Sequence, residues 1–309
     1  MKKKITVFAP ATVANLGCGF DAMGLAIDAP GDELTLELNS LKSLRIRKIS
    51  GDQKKLSYDP LKNTAAVAIQ SLLDALEINQ GFDIYLKKKM PLGSGLGSSA
   101  ASAAAGAFAV NELLGRPFTK MELVRFAMAG EKVASGAAHA DNAAPSLLGG
   151  IVLIRSYEPL EIISLPIPNR LLIVVVHPDV EVLTKNARAV LPKSIPLKVG
   201  IAQWSNTAAL VAGLYSDDYE LIGRAITDHV AEPYRAGLIP CFKEVKLAAL
   251  TNGALGCSIS GSGPSVFAFC KGKQAAESIA KAMQKEFSKK NIKSVSYISS
   301  VNKKGVKSL

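Results

Sequence analysis

The stretch PLGSGLGSSAAS, residues 91–102, sets three glycines in alternation, Gly93, Gly95 and Gly97, directly before Ser98 and Ser99. Glycines let a backbone curl until successive N–H groups point inward. The alanine-rich run that follows reads as a buried helix, and a helix beginning there adds unpaired N–H groups and the positive end of its dipole. Together they make an anion site, most often for phosphate. Hydroxyls in the first turn can bind phosphate or a metal that travels with it. A Walker loop is excluded, because Gly97 is followed by Ser98 and not by Lys. The dinucleotide fingerprint is excluded too, because the spacing is G-x-G-x-G. The plain alternative is a glycine turn that only caps a core helix.

Other polar residues stand out less. HADN, residues 139–142, is the densest polar cluster in an apolar neighbourhood and by itself reads as a turn between helices. Glu131 precedes Lys132 on a predicted helix, which by itself describes a solvated glutamate. Thr184 and Arg188 are four apart and share one face if helical. Arg188 and Arg235, each taken alone, read as surface arginines. His139, His177 and His229 lie too far apart for a helical metal pair. Cys18, Cys241, Cys257 and Cys270 form no C-x-x-C and read as ordinary thiols.

The elements that must position these residues follow from periodicity. ITVFA (5–9), ELTLEL (33–38) and FDIYLK (82–87) read as strands, the last two by strict alternation. Residues 63–76, capped by Asn63 or Thr64, read as a helix, as do 98–114 and 120–134. IVLI (151–154) and LLIVVV (171–176) are apolar without alternation and read as buried strands. Pro166 and Pro168 between them mark a boundary. Residues 198–215 and 217–231 read as helices. PSVFAF (264–269) is a strand after the glycine turn SGSG (260–263). A terminal helix puts Ala276, Ile279, Ala280, Met283 and Phe287 on one face, and SVSYIS (294–299) is a last strand. Without β-α-β alternation the fold class is α+β, in two domains.

The 309 residues suffice for a sizeable core, and 48% apolar against 20% charged residues reads as globular. No apolar run approaches a membrane span. The start MKKKITVFAP is too short for a signal-peptide core, so a cytoplasmic location is expected. The net charge of +11 resides at the ends, in Lys2, Lys3 and Lys4 and in residues 271–309, where ten lysines face two glutamates. Residues 5–270 balance, and few aromatics accompany the lysines. This describes a solvated helix face, with neither nucleic acid nor membrane as partner.

Pro91–Ala100 resembles the phosphate-binding motif of the GHMP superfamily, the galactokinases, homoserine kinases, mevalonate kinases and phosphomevalonate kinases. PATVANLGCGFDAMGLAID (10–28) is similar to the family's first motif and SISGSGPSVFAF (258–269) to its third. The wording of GEKVASGAAHADNAAPSLLGG (130–150) and LTKNARAVLP (183–192) is closest to the homoserine kinase branch. The resemblance spans nearly the whole chain. It implies an N-terminal ATP-binding domain, 1–167, like the second domain of ribosomal protein S5 with a left-handed βαβ unit. It implies a ferredoxin-like C-terminal domain, 168–309.

The resemblance also implies a chemistry. The family's ATP-binding segment falls on Pro91, Leu92, Gly93, Ser94, Gly95, Leu96, Gly97, Ser98, Ser99, Ala100 and Ala101. Magnesium falls to Glu131 and a loop hydroxyl, Ser99 before Ser98. Asn15, Asp21, His139, Asp141, Asn142, Thr184, Arg188, Arg235 and Gly261 match substrate-side positions. In this matching Arg188 and Arg235 take a carboxylate and Asp21 takes an ammonium. Where mevalonate kinases carry an aspartate base, this branch carries an asparagine, here Asn142, and an amide accepts no proton at neutral pH. The implied reaction is phosphorylation of L-homoserine by ATP with magnesium, in threonine synthesis, by a homodimer. A mevalonate-like substrate is the near alternative, and an RNA-binding protein of S5-like fold the distant one.

Overall fold

Alternating apolar residues build the first sheet. In a computed structural model of the chain, residues 3–136 and 138–309 are described. Lys2 of the basic start and Ala137 of the 130–150 stretch lie outside them. Strand β1 (Lys4–Ala14) pairs antiparallel with β2 (Met23–Asn39), Thr6 opposite Thr35. Strand β3 (Leu44–Ser50) leads through α1 (Thr64–Ala75) to β4 (Gly81–Lys87), and β3 and β4 run parallel. That is the βαβ unit. The cap of α1 is Asn63, whose side chain accepts the N–H groups of Ala65 and Ala66.

Helices α2 (Ser98–Leu113), α3 (Lys120–Ser135) and α4 (Ala140–Leu148) complete the helical layer, and β5 (Ile151–Tyr157) and β6 (Leu160–Leu165) extend the sheet. Almost every residue of α2 is buried, since alanine and serine are small enough for neighbours on all sides. A capping box between Thr119 and Glu122 starts α3.

The second sheet has the order β10-β7-β9-β8. It opens with β7 (Leu171–Pro178) and continues after α5 (Thr184–Ala189), α6 (Leu197–Ser216), α7 (Tyr219–Ala225), α8 (Glu232–Arg235) and α9 (Phe242–Thr251). Strands β8 (Gly256–Ile259) and β9 (Val266–Lys271), helix α10 (Lys273–Ser288) and strand β10 (Ser294–Ser300) complete it. Both faces of β7 are covered, as its unbroken apolar run predicts. Ile173 and Val175 join the large core with Phe267 and Phe269, while Val174 and Val176 face the apolar side of α10. On α10, Lys281 and Lys285 are exposed, as is Lys289 just after it, the solvated face expected of the basic C-terminal segment.

The structure corrects some local readings. The helix expected over 217–231 ends at Ala225. The Asp228 carboxylate accepts the N–H groups of Val230, Ala231 and Glu232 at 2.8–2.9 Å, and this side-chain turn outcompetes helix propagation. The strand read at 33–38 is part of the 17-residue β2. Strand β9 begins at Val266 and not at Pro264, which has no N–H to pair. Strands β3, β6 and β8 and the short β11 (Lys307–Ser308) had no reading at all. Cys18, Cys257 and Cys270 are buried free thiols, as expected, and burial pushes Cys18 and Cys257 up to about 12.

The chain end crosses back to the first sheet. Val301 bridges to Ile27, Ser308 lies opposite Val7, and the Val306 N–H bonds the Ser146 carbonyl at the end of α4. The Lys120 ammonium donates to the carbonyls of Lys304 and Val306 at 2.8 and 2.7 Å. Val301 and Val306 are both buried. Truncation after Ser300 should therefore cost roughly 3–6 kcal/mol, about 1.5–3 for each valine, measured as a lowered midpoint in urea unfolding. An unchanged midpoint would mean the tail is not part of the folded core.

Candidate active site

The glycine stretch connects β4 to α2, and Gly97 caps the helix at φ +67°. Three bonds hold the loop, and each takes one of its carbonyls. The Thr12 N–H donates to the Leu96 carbonyl (3.0 Å), the Ser260 hydroxyl to Gly95 (2.7 Å) and the Ser265 N–H to Ser94 (3.2 Å). Gly95, at φ +75°, is required twice over. A Cβ there would lie 2.4 Å from the Ser260 carbonyl oxygen and 2.8 Å from that of Gly263. At Gly97 a Cβ would lie 2.0 Å from Thr12 Oγ1 and 2.8 Å from Asn142 Oδ1. A side chain at either glycine collides with protein before it reaches any ligand. At the far end of the stretch the Ala101 N–H bonds the Gly97 carbonyl inside the helix, and its methyl is buried. Pro91 and Leu92 line a cleft of about 270 Å³ together with Lys55, His177, Asp179 and Glu181. A larger groove of about 590 Å³, lined by α9 and α10, contains none of the expected site residues.

Glu131 is not the solvated residue its neighbour Lys132 suggests. It is 8% exposed, on the inner face of α3. Burial pushes its carboxyl up to about 7, against a hydrogen bond from Ser99 and the charge of Lys88. The Ser98 hydroxyl turns elsewhere and donates to Asp32 at 3.2 Å. Among the described residues no group of three or more His, Cys, Asp or Glu side chains could hold a metal ion. The pair Glu131 and Ser99 still suits magnesium, a hard cation that takes one or two protein oxygens and completes its shell with water and phosphate.

The other expected residues meet where α4 begins. Arg188 on α5 clasps Asp21 with two parallel bonds of 3.0 Å, Nη1 to Oδ2 and Nη2 to Oδ1. His139 Nδ1 stands 3.8 Å from the same Asp21 carboxylate. Arg235 is 3% exposed, not a surface residue, and donates to the carbonyls of Ala187 (3.0 Å) and Gly261 (2.9 Å). Thr184 Oγ1 lies 3.3 Å from Ser262 Oγ. Asn15 lies in the turn after β1. At φ +72° its Nδ2 donates to the Gly261 carbonyl (2.9 Å), and its Oδ1 accepts the Asp21 N–H (3.0 Å). Its amide thus shapes the Asp21 loop. Asn142, one turn along α4, accepts the Thr12 hydroxyl at 2.6 Å.

Burial sets the charges here. Desolvation pushes Asp141 up to about 7, with Asp21 and Glu131 adding repulsion. Desolvation lowers His139, with Asp21 opposing and Arg188 assisting. Burial opposes the charge of Arg188, but its bonds to Asp21 prevail and raise its pKa. Arg235 is lowered by burial and then by Arg188. His139 Nε2 and Arg188 Nε are buried with no hydrogen-bond partner among the described residues. Such atoms suit a site that a polar ligand completes.

Two residues escaped the sequence reading. Phe20 lies under both guanidiniums, 5.8 Å from Arg188 and 5.1 Å from Arg235. Its place beside Asp21 in the first motif was the available signal. Tyr157 donates to the Asp21 carbonyl (2.9 Å), accepts the Ala140 N–H (3.3 Å) and meets His139 edge-on. Nothing in the sequence around Tyr157 marks it.

Residues 63–150 match the GHMP kinases N terminal domain, and residues 210–289 match the GHMP kinases C terminal domain. A homoserine kinase of Chlorobium phaeobacteroides is 52% identical over 99% of this chain and 100% of its own length. That of Arabidopsis thaliana is 44% identical over 98% and 84%. The crystal structure of homoserine kinase from Cytophaga hutchinsonii, 54% identical, covers 100% of this chain with 98% of its own at a TM-score of 0.97. The chain belongs to the homoserine kinase branch of the GHMP kinases. Members of this kinase family use ATP as phosphate donor. The fold is also that of L. major mevalonate kinase, at a TM-score of 0.74 and 18% identity. It is the S5-like plus ferredoxin-like architecture.

In this GHMP kinase Asp141 carries a testable charge. An unfolded chain releases the Asp141 proton near 3.8, and the folded chain holds it until about 7. The folded state therefore binds more protons in that window, and stability falls as pH rises through it. The ligand-free protein should lose Tm from about pH 4 to about pH 7, and Asp141→Asn should lose less over the same range. Parallel Tm profiles in differential scanning calorimetry would show that Asp141 is not held neutral.

Proposed function

We propose that this GHMP kinase transfers the γ-phosphoryl group of ATP to the hydroxyl of L-homoserine, giving ADP and O-phospho-L-homoserine for threonine synthesis. The observation that carries this reading is the reach of α4. Its first turn stands among Asp21, Arg188 and His139, and Asn142 stands beside Gly97 of the phosphate loop. From His139 to Asn142 the helix rises about 4.5 Å. A molecule with both charges at one end and a hydroxyl three bonds away fits that span.

In this reading the ammonium goes to Asp21, helped by Asp141, and the carboxylate to Arg188 and Arg235. Arg188 and Asp21 already face each other, so a zwitterion exchanges their internal bond for its own two charges. A mevalonate-like substrate brings a carboxylate but no ammonium and leaves the acidic groups without a cation, which is costly in a buried site. N–H groups around Gly93–Ser99 hold the triphosphate. Glu131 and the Ser99 hydroxyl would hold magnesium; the commitment of Ser98 to Asp32 favours Ser99. Held there, the ion would neutralise charge on the phosphate oxygens.

Asn142 then positions and takes no proton. Its carbonyl oxygen is occupied by Thr12, so its NH₂ is the end that can reach the substrate hydroxyl oxygen. The hydroxyl proton leaves late or passes to the phosphate, which a loose transition state permits. A two-domain division at residues 167/168, a cytoplasmic location and a homodimer belong to the same proposal. The two sheets support the division, with the tail after Ser300 returning to the first. Family likeness supports the other two.

A coupled ADP-release assay with homoserine, mevalonate, galactose and shikimate tests the reading, and only homoserine should release ADP. Arg188→Leu should lower kcat/KM for homoserine by about 30-fold to a few thousandfold, the equivalent of about 2–5 kcal/mol for one arm of a buried charge pair. It should leave KM for ATP near normal. Preference for homoserine over the amino diol that lacks its carboxylate should shrink in the variant. An unchanged preference would show that Arg188 does not read the carboxylate.

A further inference from the structure

Behind the phosphate loop lies an ion pair that the proposed reaction does not use. Asp32 on β2 and Lys88, the residue after β4, pair with both side chains only 1% exposed. The Lys88 ammonium donates to the Ser98 carbonyl (2.8 Å) and the Ser102 hydroxyl (2.6 Å) besides Asp32. Its three N–H bonds therefore have three acceptors. Asp32 Oδ1 accepts the N–H groups of Lys89 (2.7 Å) and Met90 (3.2 Å), and Oδ2 accepts the Ser98 hydroxyl (3.2 Å). No polar atom of the pair is left over.

These partners are not scattered. Lys88, Lys89 and Met90 enter the loop, and Ser98 and Ser102 leave it. One carboxylate and one ammonium thus hold both ends of the seven-residue loop 91–97 against β2. A buried ion pair adds little stability over well-packed apolar residues of the same volume. What it adds here is direction, because three of the bonds fix backbone groups, the N–H groups of Lys89 and Met90 at the loop entrance and the Ser98 carbonyl at the start of α2, and two more hold the Ser98 and Ser102 hydroxyls.

We infer that Asp32 and Lys88 are positioning residues that hold the phosphate loop in its binding conformation, so that their loss costs phosphate affinity even where the fold survives. The inference rests on residues 93–99 being the phosphate site. Without the pair the loop samples other arrangements, and apparent affinity falls with the competent fraction.

The test is calorimetric titration of ADP and adenosine into the full-length protein and its variants. In Asp32→Leu/Lys88→Met the loop ends lose their charge but the space stays filled. ADP affinity should fall about tenfold or more, adenosine affinity should stay within about twofold, and KM for homoserine should hold. Should that variant not fold, Asp32→Asn serves. It keeps an acceptor for the Lys89 and Met90 N–H groups and should show a smaller loss of the same selectivity. Gly95→Val separates the two levels. If Gly95→Val binds ADP normally, the loop is not the phosphate site and the inference falls with that reading. If a folded Gly95→Val loses ADP but keeps adenosine while the folded pair variants bind ADP like wild type, the reading stands and the positioning role is overturned. A parallel loss of ADP and adenosine affinity also overturns it, because a general collapse spares neither.

Discussion

The docking of loop carbonyls 94–96 on Thr12 and on the turn between β8 and β9 is the contact on which the site depends. The backbone of Gly95 can lie this close to the Ser260 and Gly263 carbonyls, and that of Gly97 this close to the Thr12 and Asn142 side chains, only without a Cβ. The three bonds commit carbonyls of the loop and none of its N–H groups. The same contact joins the two sheets, since Thr12 lies on β1 and Ser260 and Ser265 flank the turn of the second sheet. The shared apolar core under β7 makes that junction stiff.

A second junction serves the other end of the site. The Gly261 carbonyl accepts from both Asn15 and Arg235, and the Gly261 N–H donates to Ala14. The turn that backs the glycine loop thereby also fixes the Asp21 loop and Arg235. The glycine loop and the charged cluster are spaced by one turn of α4, which the C-terminal tail holds from behind. The charges in the pocket are arranged by burial. Asp141 is pushed toward its neutral form, while Asp21 is clasped by Arg188. The excess charge of the chain takes no part in this and stays on exposed lysines of α10.

Much of this was legible in the sequence because it is local. Alternation marked β2 and β4, and the glycine–serine–alanine sequence marked the loop and the start of α2 at Ser98. The family likeness then placed Glu131, Arg188 and Arg235 where residue type alone put them on the surface. What could not be read is set by distant partners. Glu131 is buried because α3 packs on α2, and nothing at residues 130–132 says so. The helix expected through 231 fails because one carboxylate, Asp228, takes three N–H groups. Strand β11 is two residues long and exists only because β1 offers it an edge. Lys88 and Asp32 are 56 positions apart and meet only through the pairing of β2 with β4. Tyr157 is a site residue only because the Asp21 loop folds over β5.

The central claim is that one turn of α4 spaces a phosphate cradle from a zwitterion site. Its most direct test is a crystal structure of the protein with magnesium, a non-hydrolysable ATP analogue and homoserine. The account predicts phosphate oxygens against the N–H groups of residues 93–99, the homoserine carboxylate on Arg188 with its ammonium at Asp21, and the hydroxyl beside Asn142 facing the γ-phosphorus. A triphosphate bound away from the glycine loop, or homoserine turned so that its hydroxyl lies at Arg188, would contradict it.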